Sequence, residues 1–417
     1  MHSYAKYHLN YMNSGKIIFH FIANAALGEG LSGGDRIFIE LARNWSRWGH
    51  SINLYVWEEG FAMCQRNNLS NVIYTVWPAM KYKKYGDLIL YLGRTIKGCR
   101  EVLKTSIHDK NNAAHKNMII YSASFLWPDL FPGLVMKWKE KNAFWITSIF
   151  LFPPPLFKGY RGYQKRWKIP TLREIYFTLT TKTVYWLIKR YADMVFVVNE
   201  LDRDRICRES RRLDKERVVV IPGGVDTKTP SLVPEREKIY DGVFIGRLHP
   251  QKGVLELVDI WRIVVSHRKD AKLAIIGNGP LEEDVRKRIR HYNLENQITM
   301  MGFLDGIEKI KVFKSSKIVL HPAVYDSGGM AACEAMACGL PGISFDLPAL
   351  KTYYPKGMLK TPIGDFQGFA ENIQELLENQ ELYCRLQKEA IDLATNEWAW
   401  ESRAAKLLDQ VKETLLF

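Results

Sequence analysis

Residues 320–346 read Leu-His-Pro-Ala-Val-Tyr-Asp-Ser-Gly-Gly-Met-Ala-Ala-Cys-Glu-Ala-Met-Ala-Cys-Gly-Leu-Pro-Gly-Ile-Ser-Phe-Asp. An apolar strand, Ile318 to Leu320, enters a turn at His321-Pro322. The carboxylate of Asp326 follows, then Gly328 and Gly329, then a helix of small residues that carries Glu334. Gly339-Leu340-Pro341 ends that helix, and a second apolar strand starts near Gly342. Asp326 precedes the helix and Glu334 lies inside it, eight residues on, so both can face one cleft at a strand's carboxyl end. The two glycines leave backbone N–H groups bare at the helix start, which suits an anion. A carboxylate that can grip vicinal hydroxyls beside a phosphate site suggests a nucleotide-sugar pocket. The plain alternative is a strand, loop and helix whose acids are merely solvated.

Outward from this stretch the same rhythm repeats. Strands are expected at Gly242–Ile245, Lys272–Ile276, Ile298–Met301, Ile318–Leu320 and Gly342–Phe345, with helices between them. Before residue 225, strand-like runs recur at Lys16–Ile22, Ile52–Trp57, Val72–Val76, Met118–Ser122, Phe144–Ile149, Met194–Val198 and Val218–Ile221. Helices are expected at 86–104, 130–141, 171–191 and 200–212, and after the loop 23–34, where Asp35 is expected to cap the helix. Alternating strand and helix implies parallel sheets covered on both faces. Residues 1–15 show no period and read as a loose arm. The stretch Ile221-Pro-Gly-Gly-Val-Asp-Thr-Lys-Thr-Pro-Ser-Leu-Val-Pro-Glu reads as a linker. The expected architecture is α/β, with two doubly wound Rossmann-like domains, 1–225 and 226–397, facing across a cleft. The last helix, 398–417, is expected to pack back on the first domain.

Three further motifs lie at strand ends. Gly33-Gly34 sits in a loop before a helix, where glycine lets backbone approach a phosphate, although a plain tight turn would look the same. Gly246-Arg247-Leu248-His249-Pro250-Gln251-Lys252-Gly253 follows a strand directly. There Arg247 and Lys252 can converge on a diphosphate, the first as a fork and the second as a point charge, unless both are merely solvated. Ile275-Ile276-Gly277-Asn278-Gly279-Pro280 runs from a strand into a Pro-started helix. Its glycines serve either a ligand or only the turn.

Together these motifs resemble the retaining GT-B glycosyltransferases of family 4, the glycosyl transferases group 1. The quoted stretch resembles that family's E-x7-E element, with Asp326 in place of the first Glu. The loop 246–253 resembles its G-R-L-x-x-x-K-G element. The resemblance covers essentially the whole chain, strongest from 190 to 400 and weak from 60 to 190. It implies a nucleotide-diphosphate sugar donor in the second domain and an acceptor in the first, with transfer to a hydroxyl and retention at the anomeric carbon. Arg247 and Lys252 would neutralise the leaving diphosphate, so neither a metal nor another cofactor is needed. Glu334 would hold ribose hydroxyls, and Asp326 would face the donor sugar or the reacting centre, so Asp326, Arg247 and Lys252 are the catalytic candidates. Backbone at Gly328, Gly329 and Met330 would bind sugar hydroxyls or phosphate. Gly33, Gly34, Gly246, Gly277 and Gly279 would approach the donor, and Gly302-Phe303 would hold the base. Many family members carry a His after the strand matching Phe144–Ile149. This chain reads Ile-Thr-Ser-Ile-Phe-Leu-Phe-Pro-Pro-Pro there, so no general base is evident. Asp129 is a candidate acceptor contact, with a helix cap as the alternative. A nucleotide-sugar epimerase on the same fold, or a binding protein without turnover, are the other functional classes.

The chain has 417 residues and a net charge of +14. Residues 1–225 carry +16 and residues 226–417 carry −2. The excess concentrates in 158–190, with nine Lys or Arg against Glu174 alone, interleaved with tyrosine, tryptophan and phenylalanine. Such a segment suits an anionic membrane surface, a plain solvated face or another polyanion. No nucleic-acid motif accompanies it. A docked acceptor domain would fit a lipid-linked or cell-envelope glycan. Six cysteines without a C-x-x-C pattern, no signal pattern and no long apolar run point to a cytoplasmic protein, and the membrane reading of 158–190 would place it peripherally on the inner membrane face.

Overall fold

The computed structural model describes residues 16–25, 32–78, 87–105, 118–164 and 167–415, without the side chains of residues 87, 88 and 173. The arm expected at 1–15 lies outside them. Every strand pairing is parallel. The first sheet holds β1 (Ile18–Ile22), β2 (Ser51–Trp57), β3 (Ile73–Trp77), β4 (Met118–Ser122), β5 (Phe144–Ile149), β6 (Met194–Val197) and β7 (Val218–Val220), in the order β3-β2-β1-β4-β5-β6-β7. The second holds β8 (Tyr240–Ile245), β9 (Leu273–Ile276), β10 (Ile298–Gly302), β11 (Ser316–His321), β12 (Gly342–Phe345) and β13 (Met358–Thr361), in the order β10-β9-β8-β11-β12-β13. Both orders are doubly wound. Each reverses direction once, between β1 and β4 and between β8 and β11, and ligands of such sheets bind beyond the strand ends at that reversal.

The strand composition follows from burial on two faces. Met-Val-Phe-Val in β6 and Leu-Ala-Ile-Ile in β9 are buried at every position, so they cannot alternate apolar and polar residues. Helices cover both faces. Helix Val254–His267 buries Leu257, Val258, Trp261 and Val264 against the second sheet.

The chain divides into two compact units that are not contiguous in sequence. The first takes the chain up to Phe152, then Ile175–Gly223, then Trp400 onward; the second takes Pro153–Glu174 and Gly224–Ala399. The basic segment is therefore shared, since residues up to Glu174 pack with the second unit. Helix Trp400–Leu415 lies in the first unit. Its Ala404 carbonyl accepts a hydrogen bond of 3.0 Å from the Trp45 indole, and that indole is fully buried and stacked on Phe19. Helix Gly33–Arg47 departs from expectation at its start. Ser32 is the cap, and Asp35 closes a reciprocal capping box from the third helical position.

Candidate functional site

The loops after β8 and β11 flank the reversal point of the second sheet and bring the main charged groups together. Lys252 Nζ stands 2.6 Å from Asp326 Oδ2, and His321 Nε2 is 3.5 Å from the same oxygen. The other oxygen, Oδ1, accepts from the backbone N–H groups of Ser327 at 2.8 Å and Gly328 at 3.4 Å. Burial alone would raise the Asp326 pKa. The Lys252 ammonium and the His321 imidazole outweigh it and hold the carboxyl far below its usual range. Burial lowers the pKa of His321, despite Asp326 beside it, and so favours the neutral imidazole.

Gly253 makes this approach possible. Its φ is +67°, and a Cβ there would stand 1.8 Å from the Pro322 carbonyl oxygen. The Gln251 carbonyl accepts from Val324 N and Tyr325 N at 3.0 and 3.2 Å, joining the two loops backbone to backbone. Gly277 acts in a similar way after the neighbouring strand β9. At φ +134°, a Cβ would lie 2.0 Å from the Gly246 carbonyl oxygen. Gly246 N donates to Ile276 O at 3.1 Å, Leu248 N to Asn278 O at 2.8 Å, and Gly277 N to Gly302 O at 2.7 Å. The need for glycine at 277 is thus met by loop-to-loop packing, with Gly279 in the same turn and the Phe303 side chain exposed at its edge.

Arg247 is exposed on the loop after β8, with no ion-pair partner among the described residues. Glu334 lies on helix Met330–Ala337, which starts at Gly329 in the left-handed region. Its two oxygens are 3.1 and 3.0 Å from Lys309 Nζ, which also reaches Asp305 Oδ1 at 3.1 Å. Lys309 is nearly buried. Burial opposes its charge, but Glu334 and Asp305 prevail and raise its pKa. Tyr354, buried, donates to the Gly329 carbonyl and fixes the helix start from below.

The first unit holds the remaining candidates. Gly33 and Gly34 are the first two residues of their helix, and Gly34 packs against the Phe150 ring. Asp129 is not a helix cap: helix Trp127–Lys139 is preceded by Leu126, which makes no side-chain cap bond. The Asp129 carboxylate instead accepts from Asn24 N at 2.5 Å, Ala25 N at 2.8 Å and the Ser124 hydroxyl at 2.5 Å. It ties the chain leaving β1 to the loop after β4. Burial dominates these bonds and pushes its pKa up to about 7.

Sequence reasoning missed His321, Lys309 and Lys360. His321 stood in the quoted stretch with the turn Pro. Lys309 carried one local signal, its place four residues after Asp305. Lys360 donates to the Ser344 hydroxyl at 3.0 Å, and burial lowers its pKa to about 8. Nothing local marks it.

Residues 227–393 match the family model described as glycosyl transferases group 1. An uncharacterised glycosyltransferase of Methanocaldococcus jannaschii is 33% identical over 109 residues, covering 26% of this chain and 27% of that protein. The phosphatidyl-myo-inositol mannosyltransferase of Mycobacterium leprae is 28% identical over 205 residues, 47% of this chain and 54% of that one. The N-acetyl-alpha-D-glucosaminyl L-malate synthase of Bacillus anthracis is 25% identical over 188 residues, 44% and 46%. The chain thus spans between about a quarter and about half the length of these relatives. Among solved structures, Anabaena HepE in complex with UDP and glucose superposes with a TM-score of 0.69 at 14% identity, over 95% of this chain and all of that one. Staphylococcus aureus TarM, in complex with fondaparinux, alpha-GlcNAc-glycerol and UDP, gives 0.68 at 15% identity over 96% of this chain and 100% of that chain. Lys252, Asp326 and Glu334 all fall inside the matched segment: residues 227–393 carry the glycosyl transferases group 1 pattern, on a chain whose two Rossmann-like units have the GT-B glycosyltransferase fold.

Proposed function

We propose that this protein is a retaining hexosyltransferase of the family 4 type, moving a sugar from a nucleotide-diphosphate donor to a hydroxyl of a lipid-linked or cell-envelope glycan. The observation that carries this is the meeting of Lys252 with Asp326 at the reversal point of the second sheet, with the exposed Arg247 on the same loop as Lys252. A diphosphate entering there meets two cations and the N-terminus of helix Met330–Ala337. As the glycosidic oxygen leaves, negative charge grows on the diphosphate, and Arg247 and Lys252 stabilise it in place of a metal. Asp326, kept ionised at all ordinary pH, is suited to hold Lys252 beside the donor and not to supply a proton. The leaving phosphate then takes the acceptor proton on the same face, which gives retention without a separate base. Glu334, fixed by Lys309, presents a carboxylate to the ribose hydroxyls. HepE and TarM in complex with UDP support the donor class.

The acceptor side of the proposal draws on helix Leu172–Tyr191. Its outward positions Leu172, Leu179 and Trp186 are 86%, 59% and 60% exposed, spaced by seven so that they share one stripe. Exposed Lys182 and Arg190 lie among them. No helix of the described residues is long and apolar enough to cross a membrane. A stripe of this kind suits docking on the anionic cytoplasmic leaflet, where a lipid-linked acceptor resides. The relative named phosphatidyl-myo-inositol mannosyltransferase supports an acceptor of that class. The test is a panel of nucleotide sugars scored by thermal shift, followed by transfer assays on Arg247→Ala and Lys252→Ala. Each substitution should lower kcat by about 10²- to 10³-fold. Unchanged turnover in both, or no stabilisation by any nucleotide sugar, would refute the proposal.

A further inference from the structure

Residues 153–174 leave the first unit after β5 and pack with the second. They are pinned there by a buried carboxylate. Arg161 Nε lies 2.6 Å from Glu256 Oε1, and the Tyr163 hydroxyl donates to the same oxygen at 3.1 Å. Glu256 is 3% exposed, in the first turn of helix Val254–His267, four residues beyond Lys252. The Tyr163 ring also presses on Gly364, where a Cβ would come within 2.7 Å of it. A buried acid that holds both a guanidinium and a hydroxyl is a fixed anchor, because losing either leaves its charge undercompensated.

Between the crossing point and this anchor stands Tyr160. Its ring centroid is 5.1 Å from that of His249 and 5.6 Å from that of Tyr325, steeply inclined to both. His249 lies between Arg247 and Lys252 on the loop after β8, and Tyr325 adjoins Asp326 on the loop after β11. One aromatic ring from a distant stretch of the chain thus touches both loops that carry the charged groups of the site.

We infer that residues 153–164 form a strap on the second unit and that Tyr160 is a positioning residue for the donor diphosphate. Its ring sets the spacing of the two loops, so that Lys252 stays paired with Asp326 and is presented with Arg247 to one ligand. This inference rests on the donor-site reading. The strap explains why the chain leaves its first unit in mid-course. The ring adds a side-chain brace to the backbone bonds that already join the two loops, and the anchor on Glu256 keeps it in register.

The experiment is calorimetric titration of UDP into the 417-residue chain as wild type, Tyr160→Phe, Tyr160→Ala, Lys252→Ala and the Tyr160→Ala, Lys252→Ala double variant. An inclined aromatic pair is worth about two- to tenfold in an equilibrium. Tyr160→Phe should therefore bind like wild type, and Tyr160→Ala about tenfold more weakly. In the Lys252→Ala background the same Tyr160→Ala change should cost under about twofold, because the ring acts through that loop. Undiminished binding by Tyr160→Ala, or a loss of equal size in both backgrounds, overturns the strap. Should Tyr160→Ala fail to fold, Tyr160→Leu, which keeps bulk without the ring, carries the same comparison. A wild type that binds no UDP overturns the donor-site reading and the strap together. A wild type that binds UDP with Tyr160→Ala unaffected overturns the strap alone.

Discussion

Gly253→Ala should pull the site apart at its hinge. The added Cβ would sit 1.8 Å from the Pro322 carbonyl oxygen. A carbon-to-oxygen contact relaxes at about 3.3 Å, so the two backbones must separate by about 1.5 Å. Lys252 is the preceding residue, and its ammonium lies 2.6 Å from Asp326. An opening of that size takes the pair to about 4 Å, beyond hydrogen-bond reach. Two costs add. The left-handed backbone at φ +67° costs a non-glycine residue about 1–2 kcal/mol, and the steric opening about 1–3 kcal/mol more. Urea unfolding should therefore show a loss of about 2–5 kcal/mol, and UDP affinity should fall at least as far as in Lys252→Ala. Gly49→Ala is the control. Gly49 has φ +87° and nothing within 4 Å of a new Cβ. It should lose only the backbone term, about 1–2 kcal/mol, with UDP binding intact. If Gly253→Ala bound UDP like wild type and lost no more stability than Gly49→Ala, the account of how Lys252 reaches Asp326 would be wrong.

Asp129 supplies a pH signature. Its folded pKa of about 7 lies above its ordinary 3.8, so between about pH 4 and 7 the folded chain keeps a proton that the unfolded chain has released. Stability should fall across that window as pH rises, by up to about 4 kcal/mol. Asp129→Asn, neutral throughout, should lose this slope in thermal midpoints and be the more stable protein at pH 8; an unchanged slope would dismiss the assignment. Asp326 has the opposite sign. Its depressed pKa gives stability that is complete above about pH 4 and is lost as pH falls below it, and Asp326→Asn should flatten that acid limb. Glu334→Ala should weaken UMP and UDP alike, by about tenfold or more, whereas Arg247→Ala should weaken UDP more than UMP. Equal losses on UMP and UDP in both variants would undo the division between ribose and diphosphate. Leu179→Gln with Trp186→Gln should reduce sedimentation with phosphatidylglycerol vesicles about tenfold, and wild-type binding to those vesicles should weaken with salt. Equal wild-type binding to neutral phosphatidylcholine vesicles would remove the electrostatic half of that argument.

What the linear sequence shows depends on how far apart the interacting residues lie. The strand, loop and helix around Asp326 and Glu334 were legible because turn glycines, a small-residue helix and flanking apolar strands are local features. So was the Arg247–Lys252 loop, and with them the parallel α/β class. The partners of the acids were not legible. Lys252 and Asp326 are 74 residues apart, and they meet only because β8 and β11 are neighbours at the reversal point. Asp129 reads locally as a helix-start acid, yet its bonds run to Asn24 and Ala25, more than a hundred residues away. The excursion at 153–174 was hidden for a similar reason. Its basic and aromatic composition matches the half of the chain it sits in, and nothing local says that Arg161 and Tyr163 answer a buried Glu256 in the second unit, which they join.

The short acid at 326 looks different once these contacts are known. Judged by spacing alone, Asp in place of Glu is a carboxylate with too little reach. In the fold its side chain is 7% exposed, and one oxygen meets both Lys252 at 2.6 Å and His321 at 3.5 Å. The other is held by the backbone of its own turn. Both oxygens of the shorter carboxylate are already engaged. One more methylene would move the charge off the point where Lys252 and His321 meet it. The shorter acid reaches the lysine because Gly253 lets the loop after β11 approach the loop after β8.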